Sequence, residues 1–185
     1  PLHDLLVRAV TQLAEQKIGA LIAVEREVGI RTVVENGVDL DAVATPELLV
    51  SLFYPGSPLH DGGVVLKDGR VVAAGCVFPL TQRNELSKQL GTRHRAAIGL
   101  TEETDAFVLV VSEEAGTISI AYRGRLRRGL DEARLTRVLQ SILGRGRRKE
   151  VNGRTRSAFA RLVRNFWPRP AGVAPAKVED HVQRP

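Results

Sequence analysis

Residues 63–67 and 70–78 are two apolar runs rich in β-branched side chains, and only Asp68-Gly69 separates them. A two-residue loop of this kind predicts a tight hairpin, because both loop positions need left-handed backbone that Asp and Gly tolerate. A hairpin forces antiparallel pairing, so no sheet containing it is purely parallel. Helical spacing recurs on both sides of it. Residues 2–16 carry Leu2, Leu5, Leu6, Ala9, Val10 and Leu13 on one face, and residues 131–143 carry Leu135, Val138, Leu139 and Ile142 on another. Thr45-Pro46-Glu47 reads as a capped helix start with Pro at the first helical position, running to about Phe53. Residues 93–104 also read as helix. Residues 20–24, 107–112 and 117–122 read as buried strands, with Glu113-Glu114-Ala115-Gly116 joining the last two. Residues 29–41 carry turn residues and alternating valines, and residues 81–90 read as polar loop. The expected class is α/β, with a mixed central β-sheet flanked by helices.

Charge divides the chain. Residues 1–122 hold 10 Lys+Arg against 16 Asp+Glu, a net of −6, whereas residues 123–185 hold 17 against 5, a net of +12. The expected organisation is a globular domain over residues 1–143 and a basic tail over 144–185. Within the tail, Ala158, Phe159, Leu162, Val163, Phe166 and Trp167 recur at helical spacing among arginines, and a Pro/Ala-rich end predicts disorder. A basic amphipathic segment suits an anionic membrane surface. Packing as a solvated cationic helix explains it equally well. Nucleic acid is the weaker partner, since no recognised nucleic-acid module is present.

No apolar run reaches the ~18–20 residues of a membrane-crossing helix, and no secretory signal is visible. The chain opens at Pro1 and contains no Met, so the expectation is an excised piece with a segment missing upstream. The lone cysteine, Cys76, lies in an apolar run and reads as a small buried hydrophobe rather than a nucleophile. There is no Gly-x-x-x-x-Gly-Lys-Ser/Thr phosphate loop, no Gly-x-Gly-x-x-Gly and no zinc-ligand spacing, so any nucleotide is held by another architecture.

Three clusters fall at predicted element ends. His60-Asp61-Gly62-Gly63 is either a metal- or hydroxyl-binding pair beside a loop open to ligand, or an ordinary turn. Gly91-Thr92-Arg93-His94-Arg95 puts potentially cationic side chains at a helix N-terminus. An anion such as a triphosphate would relieve their conflict with the helix dipole; a solvated basic turn is the alternative. Ser112-Glu113-Glu114 ends a strand with carboxylates that either hold a divalent metal or face solvent.

The combination resembles the diadenylate cyclase family. Leu59-His60-Asp61-Gly62-Gly63-Val64-Val65 resembles its Asp-Gly-Ala element. Gly91-Thr92-Arg93-His94-Arg95-Ala96-Ala97-Ile98-Gly99 resembles its Arg-His-Arg element almost verbatim. Val110-Val111-Ser112-Glu113-Glu114 and Ile18-Gly19-Ala20-Leu21-Ile22 also match, in the same order and spacing, so the resemblance covers about residues 5–140. It is greatest to the membrane-anchored type, in which this domain follows N-terminal transmembrane helices at the cytoplasmic face of the bacterial plasma membrane.

The resemblance implies a nucleotidyltransferase that condenses two ATP into cyclic di-AMP, a second messenger, and releases two pyrophosphates. It implies one ATP and a divalent metal, Mg²⁺ or Mn²⁺, per protomer, a face-to-face homodimer, and a regulatory protein partner. Asp61, with Gly62, would activate the 3′-hydroxyl. Thr92, Arg93, His94 and Arg95, with Gly91, would hold the triphosphate. Ser112 and Glu113 would lie near the phosphates, and His60, Asp61 and Glu114 near the metal. Two departures stand out. Gly63 replaces the alanine of the first element, which predicts a looser loop. Val77 replaces a tyrosine that often stacks on adenine, and strand alternation predicts that Phe78 points to the opposite face. These departures are the sequence hints for the alternative, a catalytically weak nucleotide-binding regulatory module.

Overall fold

The computed structural model describes residues 1–83, 85 and 90–144; the basic tail beyond Gly144 therefore lies outside the described residues. Helix α1 (Leu2–Glu15) leads into β1 (Ala20–Val24). A short α2 (Arg31–Val34) and β2 (Val38–Val43) follow, then α3 (Pro46–Phe53). The hairpin β3 (Gly63–Lys67) and β4 (Arg70–Cys76) comes next, then α4 (Thr92–Glu103). Strands β5 (Phe107–Val111), β6 (Ile118–Tyr122) and β7 (Arg125–Arg127) precede α5 (Glu132–Leu143). The strands form one seven-stranded sheet in the order β2-β4-β3-β1-β5-β6-β7. Only β1 and β3 run parallel; the other neighbours are antiparallel. The expected mixed α/β sheet is what forms.

Local chemistry explains the boundaries. At the β3–β4 turn Asp68 and Gly69 both sit at positive φ, 49° and 76°, which matches the right-handed twist of the flanking strands. Thr45 Oγ1 accepts the Leu48 N–H at 3.1 Å to start α3, and Asp131 Oδ1 accepts the Arg134 N–H at 2.7 Å to start α5. Alternation along the strands makes two cores. Leu21, Ala23, Val108, Val110 and Ala121 pack with Ala96, Ala97 and Leu100 of α4. Ile22, Leu109 and Ile120 are fully buried on the other face, where α1 lies over β5 and β6.

Residues 29–41 hold more than a turn. They build α2 and the first residues of β2, whose Val38 and Val43 are exposed because β2 is a sheet edge. Pairing with β4 shifts between Asp39 and Ala42, and Arg70 Nε donates to Asp41 Oδ1 at 2.7 Å across that bulge. The strand expected over 70–78 ends at Cys76, and the one expected over 107–112 ends at Val111.

Candidate active site

The topology gathers the motifs at one end of the central strands. Asp61-Gly62 enters β3 and Gly19 enters β1, and these two strands are parallel. Val77 leaves β4 and Ser112 leaves β5, each antiparallel to the strand beside it. All four positions therefore emerge on the same side. Asp61, Gly62, Val77 and Ser112 border a cavity of about 670 Å³, of the size that takes a nucleotide-sized ligand.

The cavity has two ends. On the β3–β4 side Cys76, Val77 and Phe78 give an apolar wall, with Asp61 and Gly62 beside them. Gly62 sits at φ 97°, a conformation that favours glycine, and this turn is what presents Asp61. On the β1–β5 side the lining is polar: Thr92, Arg93, Ser112, Glu113 and Glu114, with Arg128. Helix α4 starts there with Gly91 as its N-cap and no side-chain cap, so no side chain takes up its first free N–H groups. Its leading residues thus form an anion-binding wall.

Arg93 is held in place before any ligand arrives. Its Nη1 donates to Glu113 Oε2 at 3.1 Å. Behind it lies Gly19, where a methyl group would come within 2.7 Å of the Arg93 Cζ and Nη1. The guanidinium thus rests on bare backbone. Glu113 and Arg93, given separate roles above, form one ion pair here.

His94 is not one of the cations. It is buried, with Nε2 3.4 Å from Ser119 Oγ. Burial lowers its pKa, and the nearby positive charges of Arg128 and Arg93 lower it further. The neutral form is therefore favoured, which leaves Arg93 and Arg128 as the cationic side chains lining the cavity. An unfolded histidine takes up a proton below about pH 6.5, whereas folded His94 resists until lower pH. His94 therefore costs stability as pH falls through about 6.5. A His94→Gln chain is expected to lose less thermal stability than the parent between pH 7.5 and 5.5; equal losses would refute the assignment.

The other expected residues are placed as follows. Val77 and Phe78 both line the cavity, contrary to strand alternation, because the ladder stops at Cys76. Beyond it, the Asn36 side chain takes over as partner: Oδ1 accepts the Val77 N–H at 2.8 Å and Nδ2 donates to the Val77 carbonyl at 3.0 Å. Gly63 does not line the cavity. Its missing methyl leaves no loose loop, because the Phe78 ring fills the space. Cys76 is buried, and its thiol is pushed up to about 11 chiefly by that burial, as a structural thiol would be. Arg95 does not line the cavity, and its Nε is buried without a partner. His60 lies outside the lining and is exposed. Its Nδ1 is 2.6 Å from the Ser57 carbonyl, an acceptor, so Nδ1 carries a proton and donates it there.

Among the described residues no three His, Cys, Asp or Glu side chains converge as a ready-made metal cage. Asp61, Glu113 and Glu114 do line one cavity together. A hard divalent cation held by one or two carboxylates and by substrate phosphates needs no more than that.

Sequence reasoning gave no role to Gly19, Asn36 or Arg128. Arg128 lines the cavity and has no carboxylate partner among the described residues. Its only sequence signal is membership of an arginine-rich run.

An α/β domain with a carboxylate at one end of a cavity and a cationic helix start at the other is a nucleotide-binding domain in its design. The profile of the DAC family, described as DisA bacterial checkpoint controller nucleotide-binding, matches residues 7–126, and the chain belongs to that family. The chain is similar to the cyclic di-AMP synthase CdaA of Bacillus subtilis, 40% identical over 151 residues, covering 82% of this chain and 55% of the relative. It is also similar to the diadenylate cyclase CdaS of Bacillus thuringiensis, 49% identical over 121 residues, covering 65% of this chain and 60% of that protein. The crystal structure of DacA from Staphylococcus aureus superposes with a TM-score of 0.73 at 40% identity, covering 76% of this chain and 94% of that one. The chain spans little more than half the length of these two sequence relatives.

Proposed function

We propose that the domain is a diadenylate cyclase that joins two ATP molecules into cyclic di-AMP. The observation that carries this reading is the single cavity with Asp61 beside an apolar wall at one end and Thr92, Arg93 and Ser112 at the other. The base would lie against the apolar wall, which puts the ribose beside Asp61 and the triphosphate along the start of α4. Each 3′-oxygen forms a bond to the α-phosphorus of the other ATP, the bond between α-phosphorus and pyrophosphate breaks, and the hydroxyl proton passes to Asp61. Two such steps close the ring and release two pyrophosphates. One helix start serves one triphosphate, so the second nucleotide is brought by a second copy of the chain, face to face. The protein contributes alignment and charge neutralisation, which is most of what phosphoryl-type transfer requires.

One or two of Asp61, Glu113 and Glu114 would hold Mg²⁺ or Mn²⁺ together with the substrate phosphates, and His60, outside the cavity lining, would not be among the ligands. When bound, the metal would offset charge on the phosphates. Similarity to a Bacillus cereus structure described as a hypothetical membrane spanning protein (TM-score 0.67, 46% identity) supports the membrane-anchored type. No helix among the described residues is long and apolar enough to cross a membrane.

The test is incubation of the purified chain with ATP and Mn²⁺ or Mg²⁺, with and without chelator, at several chain concentrations. Metal-dependent cyclic di-AMP, with a rate per chain that rises with concentration, is the expected result. ATP binding without product under either metal would overturn the reading in favour of the regulatory module. A further prediction concerns Val77, which is 68% exposed at the cavity wall. Val77→Tyr is expected to tighten ATP binding about 2- to 10-fold through ring stacking, and a titration showing no tightening would refute it.

A further inference from the structure

We propose that Gly63 and Phe78 work as an interlocked pair that sets the width of the base end of the cavity, and hence its affinity for the purine. The inference rests on the nucleotide reading above. A methyl group on Gly63 would lie 2.5 Å from Phe78 Cζ, 2.8 Å from Cε1 and 3.0 Å from Cε2. The ring therefore points its tip directly at the Gly63 α-carbon. Phe78 is only 4% exposed and belongs to the core formed by Leu21, Cys76, Ala96 and Val110, yet it also lines the cavity.

These facts fix which way the ring can move. Gly63 is paired with Cys76 in the β3–β4 ladder, so the strand cannot retreat without losing that pairing. The ring belongs to the buried core cluster, so retreat into the core would meet packed side chains. The open direction is into the cavity. A side chain at position 63 would thus be felt as a narrower base site, although Gly63 itself does not line the cavity. A shorter apolar side chain at 78 would remove the collision. Positions 63 and 78 are therefore coupled: glycine accommodates phenylalanine, and a methyl at 63 requires something smaller at 78.

A double-mutant cycle tests this, reading affinity for ATP and for inorganic tripolyphosphate, which has no base. Gly63→Ala is expected to weaken ATP binding at least about tenfold and to leave tripolyphosphate binding unchanged. Adding Phe78→Leu is expected to recover most of the lost ATP affinity. Additive effects of the two substitutions, or equal loss for both ligands, would overturn the proposal. If Gly63→Ala does not fold, folding of Gly63→Ala with Phe78→Leu supports the pair, and failure of both chains overturns it. Thermal unfolding of the four chains reads the coupling independently of turnover. A parent that makes no cyclic di-AMP would therefore refute the cyclase reading without deciding this one.

Discussion

Asp61→Asn is expected to lower cyclic di-AMP formation by about 10²- to 10⁴-fold, the range for loss of a positioned general base, while ATP affinity changes only a few-fold. Asparagine keeps the size and shape of the side chain but cannot take the hydroxyl proton. Asp61 has no hydrogen bond or ion pair from its side chain among the described residues, and it is exposed on the turn that Gly62 shapes. The substitution therefore removes chemistry without removing support. Product chromatography with Mn²⁺ or Mg²⁺, beside an ATP titration, checks both parts. A variant that turns over at the parental rate would take Asp61 out of the reaction.

The second large effect is expected at a residue with no functional group. Gly19→Ala places a methyl 2.7 Å from the Arg93 Cζ and Nη1. What must give way is the end of a long flexible side chain, so the fold survives and the guanidinium moves. Loss of a charge-assisted contact to phosphate costs about 1.5–3 kcal/mol, or about 10- to 100-fold in kcat/KM. The discriminating comparison is with Arg93→Ala. If Gly19 acts only through Arg93, the double variant is no worse than Arg93→Ala alone. Additive losses, or a melting temperature that collapses in Gly19→Ala, would show a different role.

Much of this was legible in the sequence because it is local chemistry. Asp68-Gly69 names its own turn, Thr45 and Asp131 name their own helix starts, and residues of all three polar clusters do meet at one cavity at the strand ends. What was missed is set by partners far along the chain. The edge strand β2 exists because β4 is there to pair with it, and its exposed valines gave no clean alternation. The Arg125–Arg127 strand β7 carries two arginines in three residues and becomes a strand by pairing with β6. His94 reads as a cation beside two arginines, but the fold buries it against Ser119 of β6. Phe78 reads as facing away from Val77, but alternation lapses where the Asn36 side chain replaces a strand as partner.

The Arg93–Glu113 pair makes the ligand-free cavity its own competitor. Glu113 is 61% exposed and Arg93 30%, and a pair this wet is worth only about 0–1 kcal/mol. An incoming phosphate can therefore take over the guanidinium at little cost, exchanging one anion for another. The displaced carboxylate is then left facing a cavity that has just gained negative charge, and its appetite for a cation rises. On the proposed function, nucleotide uptake and cation uptake would be linked through one side-chain swap, each raising the affinity for the other by the same factor.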